Sequence, residues 1–280
     1  MNSAVTVDSA RSLRPWFREV EATLTRFDPA SPLSVLNARP ERWVVVPDLL
    51  LHAVGAALEA AAATDGAFDP TVLNAVEAAG YGQSFDVGPS PVGDAVPAGR
   101  WREVRLDRQM RAIRLPRGVR LDLGGIGKGL AVDGGLARLK GARRALVNAG
   151  GDLACRTAPG DLPYLVDIED PFDPNRVIAT FGLHRGAVAT SSVMGRRWGE
   201  GLHHIIDPQT GRPARSDLVQ ATVFGPRAAM AEVLAKAVIV LGAERGLALV
   251  RRYGHHALIV RDDRTIIMTE GLEEYRHGAA

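Results

Sequence analysis

The residues best placed for chemistry lie in one run, Leu121-Asp-Leu-Gly-Gly-Ile-Gly-Lys-Gly-Leu-Ala-Val-Asp133. An apolar stretch enters a turn with glycines at Gly124, Gly125, Gly127 and Gly129, and the turn opens a helix. Backbone without Cβ atoms can approach an anion closely, and the start of a helix favours negative charge. Lys128 adds a positive point charge in the middle of the turn. The functional reading is a phosphate against the helix start; the competing reading is a tight strand-to-helix packing turn, which the glycines alone favour. The spacing matches neither the dinucleotide Gly-x-Gly-x-x-Gly placement nor a Walker lysine loop.

Three further segments carry reactive side chains. Asn148-Ala-Gly-Gly-Asp152 is a second glycine turn, at the end of a strand. Ala189-Thr-Ser-Ser192 groups three hydroxyls, and His203-His-Ile-Ile-Asp-Pro-Gln-Thr-Gly211 sets two histidines beside an Asp-Pro turn. Neighbouring strand residues face opposite ways, so His203 and His204 cannot both reach one metal ion; one is expected inward and one outward. Taken singly, each segment also fits a structural role, and the carboxylates of Asp69 and Asp122 have turn or helix capping as a competing use.

The elements that must position these residues come from periodicity. An apolar stripe at Trp16, Val20, Leu24 and Phe27 predicts a helix over Pro15–Phe27. A second helix starts at Pro47 and stops before Gly66, and a short third follows Pro70. The Gly/Pro/Ser/Asp-rich run from Gly82 to Arg100 reads as an exposed connector. Strand patterns then dominate: a hairpin at 104–106 and 112–115, strands at 145–148, 152–156, 164–168, 177–183 and 219–223, and a final pair around Asp262-Asp263. Helices are expected from the glycine turn to Leu139, over Arg227–Leu241 and over Glu244–Tyr253. The class is α+β, helix-rich in 1–82 and sheet-rich in 101–280, with 83–100 as connector.

Composition excludes several function classes. With 280 residues, 46% hydrophobic, the chain can bury a large core. A net charge of +2 with no basic run argues against nucleic acid. The one cysteine, Cys155, excludes an internal disulfide and a multi-cysteine metal site; its strand setting predicts a buried structural thiol. The first residues lack a charged-then-apolar leader, and the longest apolar stretch, Ala53 to Ala63, is too short to span a bilayer, so the expectation is a cytoplasmic protein without a membrane partner.

In this order the segments resemble the ApbE-type FAD:protein FMN transferases. The resemblance starts at Leu24-Thr-Arg-Phe-Asp-Pro-Ala-Ser-Pro-Leu-Ser-Val-Leu-Asn37 and continues through Gly66-Ala-Phe-Asp-Pro-Thr71. It then takes in the 122–133 turn, Asn148–Asp152, Thr190-Ser-Ser192 and His204-Ile-Ile-Asp-Pro-Gln-Thr-Gly211. It implies one two-lobed α+β domain over 1–280, with mixed or antiparallel sheets flanked by helices and a cleft between lobes for FAD. Members split FAD at its pyrophosphate and pass the FMN half to a Thr or Ser hydroxyl of an acceptor protein, with Mg²⁺ on the phosphates. Carried over, Lys128 and the Gly124 turn suit the pyrophosphate. Asp69 and Asp122 accept hydrogen bonds from the dinucleotide, Phe27 offers a ring face, and His204 is the base or orienter for the incoming hydroxyl. Ala67, Phe68, Asp133, Thr190, Ser191 and Ala235 fall at the remaining cofactor-contact positions.

The chain departs from the resemblance at two places. The family's metal site joins a carbonyl at Gly125 to an Asp and a Thr four residues apart, where this sequence has Glu232 and Lys236. An ammonium has three donors and no lone pair, so it cannot ligate a cation. In one reading Lys236 takes the ion's place, pairs with Glu232 and neutralises the pyrophosphate, with loss of Lewis-acid help and weak turnover. In another it swings to solvent and a poorer ion binds, and a plain Glu–Lys i,i+4 surface pair is a third. The second departure is that Met1–Leu13 lacks the family's Met-Gly-Thr strand, which implies that one wall of the pocket is missing or supplied by another chain. Two alternatives to transfer follow: a non-catalytic FAD or nucleotide-binding partner protein, and a pyrophosphatase releasing FMN and AMP. No acceptor motif occurs in the chain, so self-flavinylation is not expected.

Overall fold

The structure, a computed structural model, describes residues 7–83, 87–195, 197–199 and 201–276. The first helix, α1 (Val7–Leu24), begins earlier than its sequence pattern suggests and contains Pro15. Proline removes one helical hydrogen bond, but the stripe extends back to Leu13, which is buried with Phe17 against Val132, Val147 and Ala154. The helix stops short of Phe27 because the Thr25 hydroxyl takes the Phe27 N–H and the Thr25 carbonyl accepts from Ser31 Oγ. That same Ser31 Oγ caps α2 (Pro32–Asn37) by accepting from Ser34 N, with proline at the first helical position.

Next come β1 (Trp43–Val45), α3 (Asp48–Ala63) and α4 (Leu73–Ala78). The expected hairpin is β2 (Arg105–Asp107) and β3 (Ala112–Arg114), and β1 joins it to make a small sheet in the order β1-β3-β2. The first core forms here, where Leu50, Val54 and Ala57 of α3 pack on Leu33, Leu36, Ile113, Leu115, Leu121 and Leu123. Residues 88–100 carry no helix or strand, yet they are held by Ser90 N to Gly80 O, Gly93 N to Ala78 O and Ala98 N to Pro208 O. Residues 84–86 of the connector and 1–6 of the N-terminal departure lie outside the described residues.

The remaining elements are α5 (Gly127–Arg138), β4 (Ala145–Ala149), β5 (Asp152–Arg156), β6 (Tyr164–Asp170), β7 (Asp173–Leu183) and β8 (Arg185–Ser192). Four short strands follow, β9 (Arg197–Gly199), β10 (Leu202–His203), β11 (Ile206–Asp207) and β12 (Arg212–Pro213). The chain closes with β13 (Leu218–Gly225), α6 (Ala228–Leu241), α7 (Ala243–Arg252), β14 (His256–Arg261) and β15 (Ile266–Met268). Six strands form one antiparallel sheet in the order β15-β14-β13-β8-β5-β4. One face packs on the helices, Ala221, Val223 and Ile259 meeting Leu234, Val238 and Val250. The β6–β7 hairpin covers the other, where Val166, Ile168 and Phe181 meet Phe224, Leu258 and Val260. Because both faces are covered, the first seven residues of β13 are all buried rather than alternating.

Helices α5 and α6 touch backbone to backbone. A Cβ on Gly129 would overlap the Ala228–Ala229 backbone, so only glycine allows this approach. Asp133 accepts from Ala228 N at 2.9 Å and Ala229 N at 3.1 Å, satisfying two orphan donors at the start of α6. Among the described residues no helix is long and apolar enough to cross a membrane.

Candidate active site

A cavity of about 220 Å³ lies where the N-terminal helices, the glycine turn, α6 and the 204–208 loop meet. The segment leading into the turn is extended chain rather than the strand its apolar residues suggest, and it is fixed from both sides. Asn37 donates to Leu121 O and accepts from Leu121 N, while Asp122 N donates to Pro70 O. In this way the amide of Asn37 completes the hydrogen bonding of a segment that has no sheet partner.

Phe27, Ala67, Phe68, Asp69, Asp122, Gly124, Gly125, His204 and Lys236 all line the cavity. Phe27 is 44% exposed, so its ring is open to a ligand. Behind it runs a stack that sequence reasoning missed. The Arg26 guanidinium lies 4.2 Å from the Phe27 ring centre and 4.7 Å from that of Tyr81, and Tyr81 stacks on Trp198 at 5.6 Å. Arg26 stands next to Phe27 in sequence and was findable; nothing in sequence joins Tyr81 to Trp198.

The two lining carboxylates are engaged by the protein. Asp122 accepts from Gly124 N and pairs with Arg26 Nε at 2.9 Å, both side chains being largely buried. Asp69 accepts from the backbone and hydroxyl of Thr71 and from Gly99 N, and burial pushes its carboxyl above the usual range against those bonds. The capping use of these acids is therefore present, and their edges toward the cavity are shaped by it.

The glycine turn is also more self-contained than its sequence suggests. Gly124 N goes to Asp122, Ile126 N and Gly127 N go to Leu123 O, and Gly129 N goes to Glu232 Oε2. An anion here would meet the positive end of α5 rather than a full ring of amides.

Lys128 does not line the cavity; its ammonium reaches Asp152 and lies 3.4 Å from Glu232 Oε1. Burial alone would lower this ammonium, but Glu232 and Asp152 outweigh it and hold it above its ordinary value. Asp152, inside the second glycine turn, is 1% exposed and also accepts from Thr190 N. This joins the two glycine turns, a link that sequence could suggest only through the acid at the turn's end.

Several expected contact residues lie elsewhere. Asp133 is occupied in capping α6. Ala235 is wholly in the core between α6 and the sheet. Ser191 is buried, and Thr190 shares a hydrogen bond with Thr222 and lines a separate groove beneath the β6–β7 hairpin. The histidine pair divides as expected, although β10 ends at His203 and His204 lies in the bend that follows it. His203 is buried, with Nε2 bonded to Ala214 O and Nδ1 accepting from Ile205 N, while His204 faces the cavity. Cys155 is buried, and desolvation pushes its thiol up to about 11.

The Mg²⁺ implied by the resemblance does not fit these residues as placed. Glu232 is 1% exposed, and its Oε1 has no hydrogen-bond partner, which is an invitation to a cation. Two ammonium groups already answer it, Lys128 at 3.4 Å and Lys236 at 3.7 Å. Magnesium needs near-octahedral oxygen ligands at about 2.1 Å, and an ammonium at the place of one ligand has no lone pair to give it.

The chain is similar to known proteins along most of its length. The sequence profile of the ApbE family matches residues 1–259. The FAD:protein FMN transferase of Escherichia coli (strain K12) is 32% identical over 249 residues, covering 84% of this chain and 68% of the relative. That of Treponema pallidum (strain Nichols) is 32% identical over 268 residues, covering 86% and 74%. The crystal structure of the ApbE protein from Thermotoga maritima superposes with a TM-score of 0.89 at 28% identity, covering 99% of this chain and 94% of that one. The flavin transferase ApbE of Vibrio cholerae shares the fold at a TM-score of 0.79 and 24% identity, covering 97% and 91%. The chain belongs to the ApbE family.

Proposed function

We propose that this protein transfers FMN from FAD to a Ser or Thr hydroxyl of an acceptor protein, releasing AMP. The observation that carries the reading is the convergence in one cleft of an exposed ring face (Phe27), a cation (Lys236), the glycine turn before α5 (Gly124 and Gly125) and an imidazole (His204). Together these suit a flat ring joined to a diphosphate, with a group able to move a proton beside it.

The acceptor hydroxyl oxygen bonds to the phosphorus on the FMN side, and the bond from that phosphorus to the bridging oxygen breaks. The bridging oxygen leaves with AMP, and His204 takes the hydroxyl proton. Phe27 and the ring wall behind it hold the flavin, and Lys236 faces the diphosphate. The Arg26–Asp122 pair keeps the turn in shape.

The test mixes protein, FAD and an acceptor protein carrying a reactive threonine, then looks for a fluorescent band on a denaturing gel. A band that falls about 10²–10⁴-fold in rate in His204→Gln, with FAD still bound, supports transfer and the proton role of His204. Free FMN and AMP without a band would mean a pyrophosphatase. Bound FAD with no product would mean a binding protein.

A further inference from the structure

Two cations line the cavity, Arg26 and Lys236. Arg26 is committed: its guanidinium pairs with Asp122, donates to Tyr81 O and is held among the rings of Phe27 and Tyr81. Lys236 is held differently. Its contact with Glu232 Oε1 is 3.7 Å, longer than a hydrogen bond, so this pairing uses none of its three donors. Its stem lies over the glycine turn: a Cβ on Gly125 would be 3.1 Å from Lys236 Cδ and 3.2 Å from Cε, and 2.8 Å from the Phe68 ring. Glycine at 125 is therefore what leaves room for the stem, and the stem delivers the charge to the start of α5.

Resting on the functional reading above, we propose that Lys236 is a cation built into the chain, and that the FAD diphosphate is held by its ammonium without a divalent ion. The turn's amides offer less, because those of Gly124, Ile126, Gly127 and Gly129 are bonded within the protein. Lys128 is engaged elsewhere: its ammonium reaches Asp152, and its side chain does not line the cavity. A divalent ion at Glu232 Oε1 would meet two ammonium groups within 3.7 Å of that same oxygen. Among the described residues Lys236 is the lysine that lines the cavity, and its pairing with Glu232 leaves its donors unused. Its side chain is 19% exposed; burial pushes its ammonium below the ordinary lysine range while Glu232 draws it back up, and a phosphate beside it favours the charged form.

The experiment measures FAD affinity by quenching of flavin fluorescence, with the whole chain in EDTA and again in excess MgCl₂, and follows the melting temperature in both buffers. The wild-type protein is expected to bind FAD with the same Kd in both, and MgCl₂ alone is expected to leave its melting temperature unchanged. Lys236→Thr is expected to weaken binding in EDTA by at least about tenfold, and Lys236→Arg to keep it. Wild-type binding that appears only with MgCl₂, or Lys236→Thr binding as tightly as wild type in EDTA, overturns the inference and leaves the functional reading standing. No FAD binding in either buffer overturns both. The wild-type comparison decides the question even if a variant fails to fold.

Discussion

Glu232 is the hinge of the buried charge network, and its removal gives the sharpest test of how that network is held. The carboxylate accepts from Gly129 N at 2.9 Å through Oε2 and faces Lys236 at 3.7 Å through Oε1. At that separation an effective dielectric of 20 gives an attraction of about 4.5 kcal/mol. Desolvation of both groups offsets most of it, leaving a coupling of roughly 1–3 kcal/mol. Glu232→Met removes one partner, strands the Lys236 ammonium and frees Gly129 N, which should cost about 3–5 kcal/mol, or on the order of 10 °C in melting temperature. Glu232→Met combined with Lys236→Met removes both charges at similar volume and should recover the coupling energy. The assay is a double-mutant cycle by urea denaturation at fixed pH, with the two single variants and the double. If the singles add to the double within about 0.5 kcal/mol, the pair is not energetically linked. Lys236 would then not be held in place by Glu232.

Three further outcomes follow from other parts of the molecule. Burial lowers the His203 pKa, and its neutral ring already donates to Ala214 O and accepts from Ile205 N, so a second ring proton would face an N–H. The unfolded chain then binds this proton more readily than the folded one, so stability is fully present above about pH 6.5 and declines as pH falls below it; His203→Gln should flatten that slope in denaturation at pH 7.5 and 5.5. Gly129→Ala forces apart the backbones of α5 and α6 and should cost about 3 kcal/mol, read as a lower melting temperature, whereas Gly141→Ala, where a Cβ meets nothing within 4 Å, should be tolerated. Cys155 should resist a thiol reagent in the native state and react at once in denaturant, since its thiol is buried and pushed up to about 11.

Periodicity in the sequence was enough to place α3, α5, α6 and α7, the hairpin, and β4, β5, β13, β14 and β15 of the main sheet, because each buries a face whose spacing shows in the apolar residues, whereas β8, central in that sheet, was read only as a cluster of hydroxyls. The order of the glycine, Asp and His segments was enough to point to the family. The sequence expected His203 and His204 to part by strand alternation; they do part, but because the strand ends at His203 and the chain bends at His204. The N-terminal helix was mislaid because proline at position 15 reads as a start, while the burial of Leu13 against Val147 and Ala154, far along the chain, carries the helix through it. β1 was missed because three residues with one buried position show no pattern until β3 pairs with them.

Which polar groups face the cavity was decided only in three dimensions. Sequence could name Asp69, Asp122, Asp133, Lys128 and Lys236 as charges near a glycine turn, but each charge goes to whichever partner the fold brings within reach. Folding brings the start of α6 to Asp133, Asp152 to Lys128, and Arg26 to Asp122. Hydrogen bonds and ion pairs act over a few ångströms between residues that are tens of positions apart in the chain, so composition and spacing do not encode them locally. What remains facing the cleft once those pairings are made is His204, the ring of Phe27 and the ammonium of Lys236.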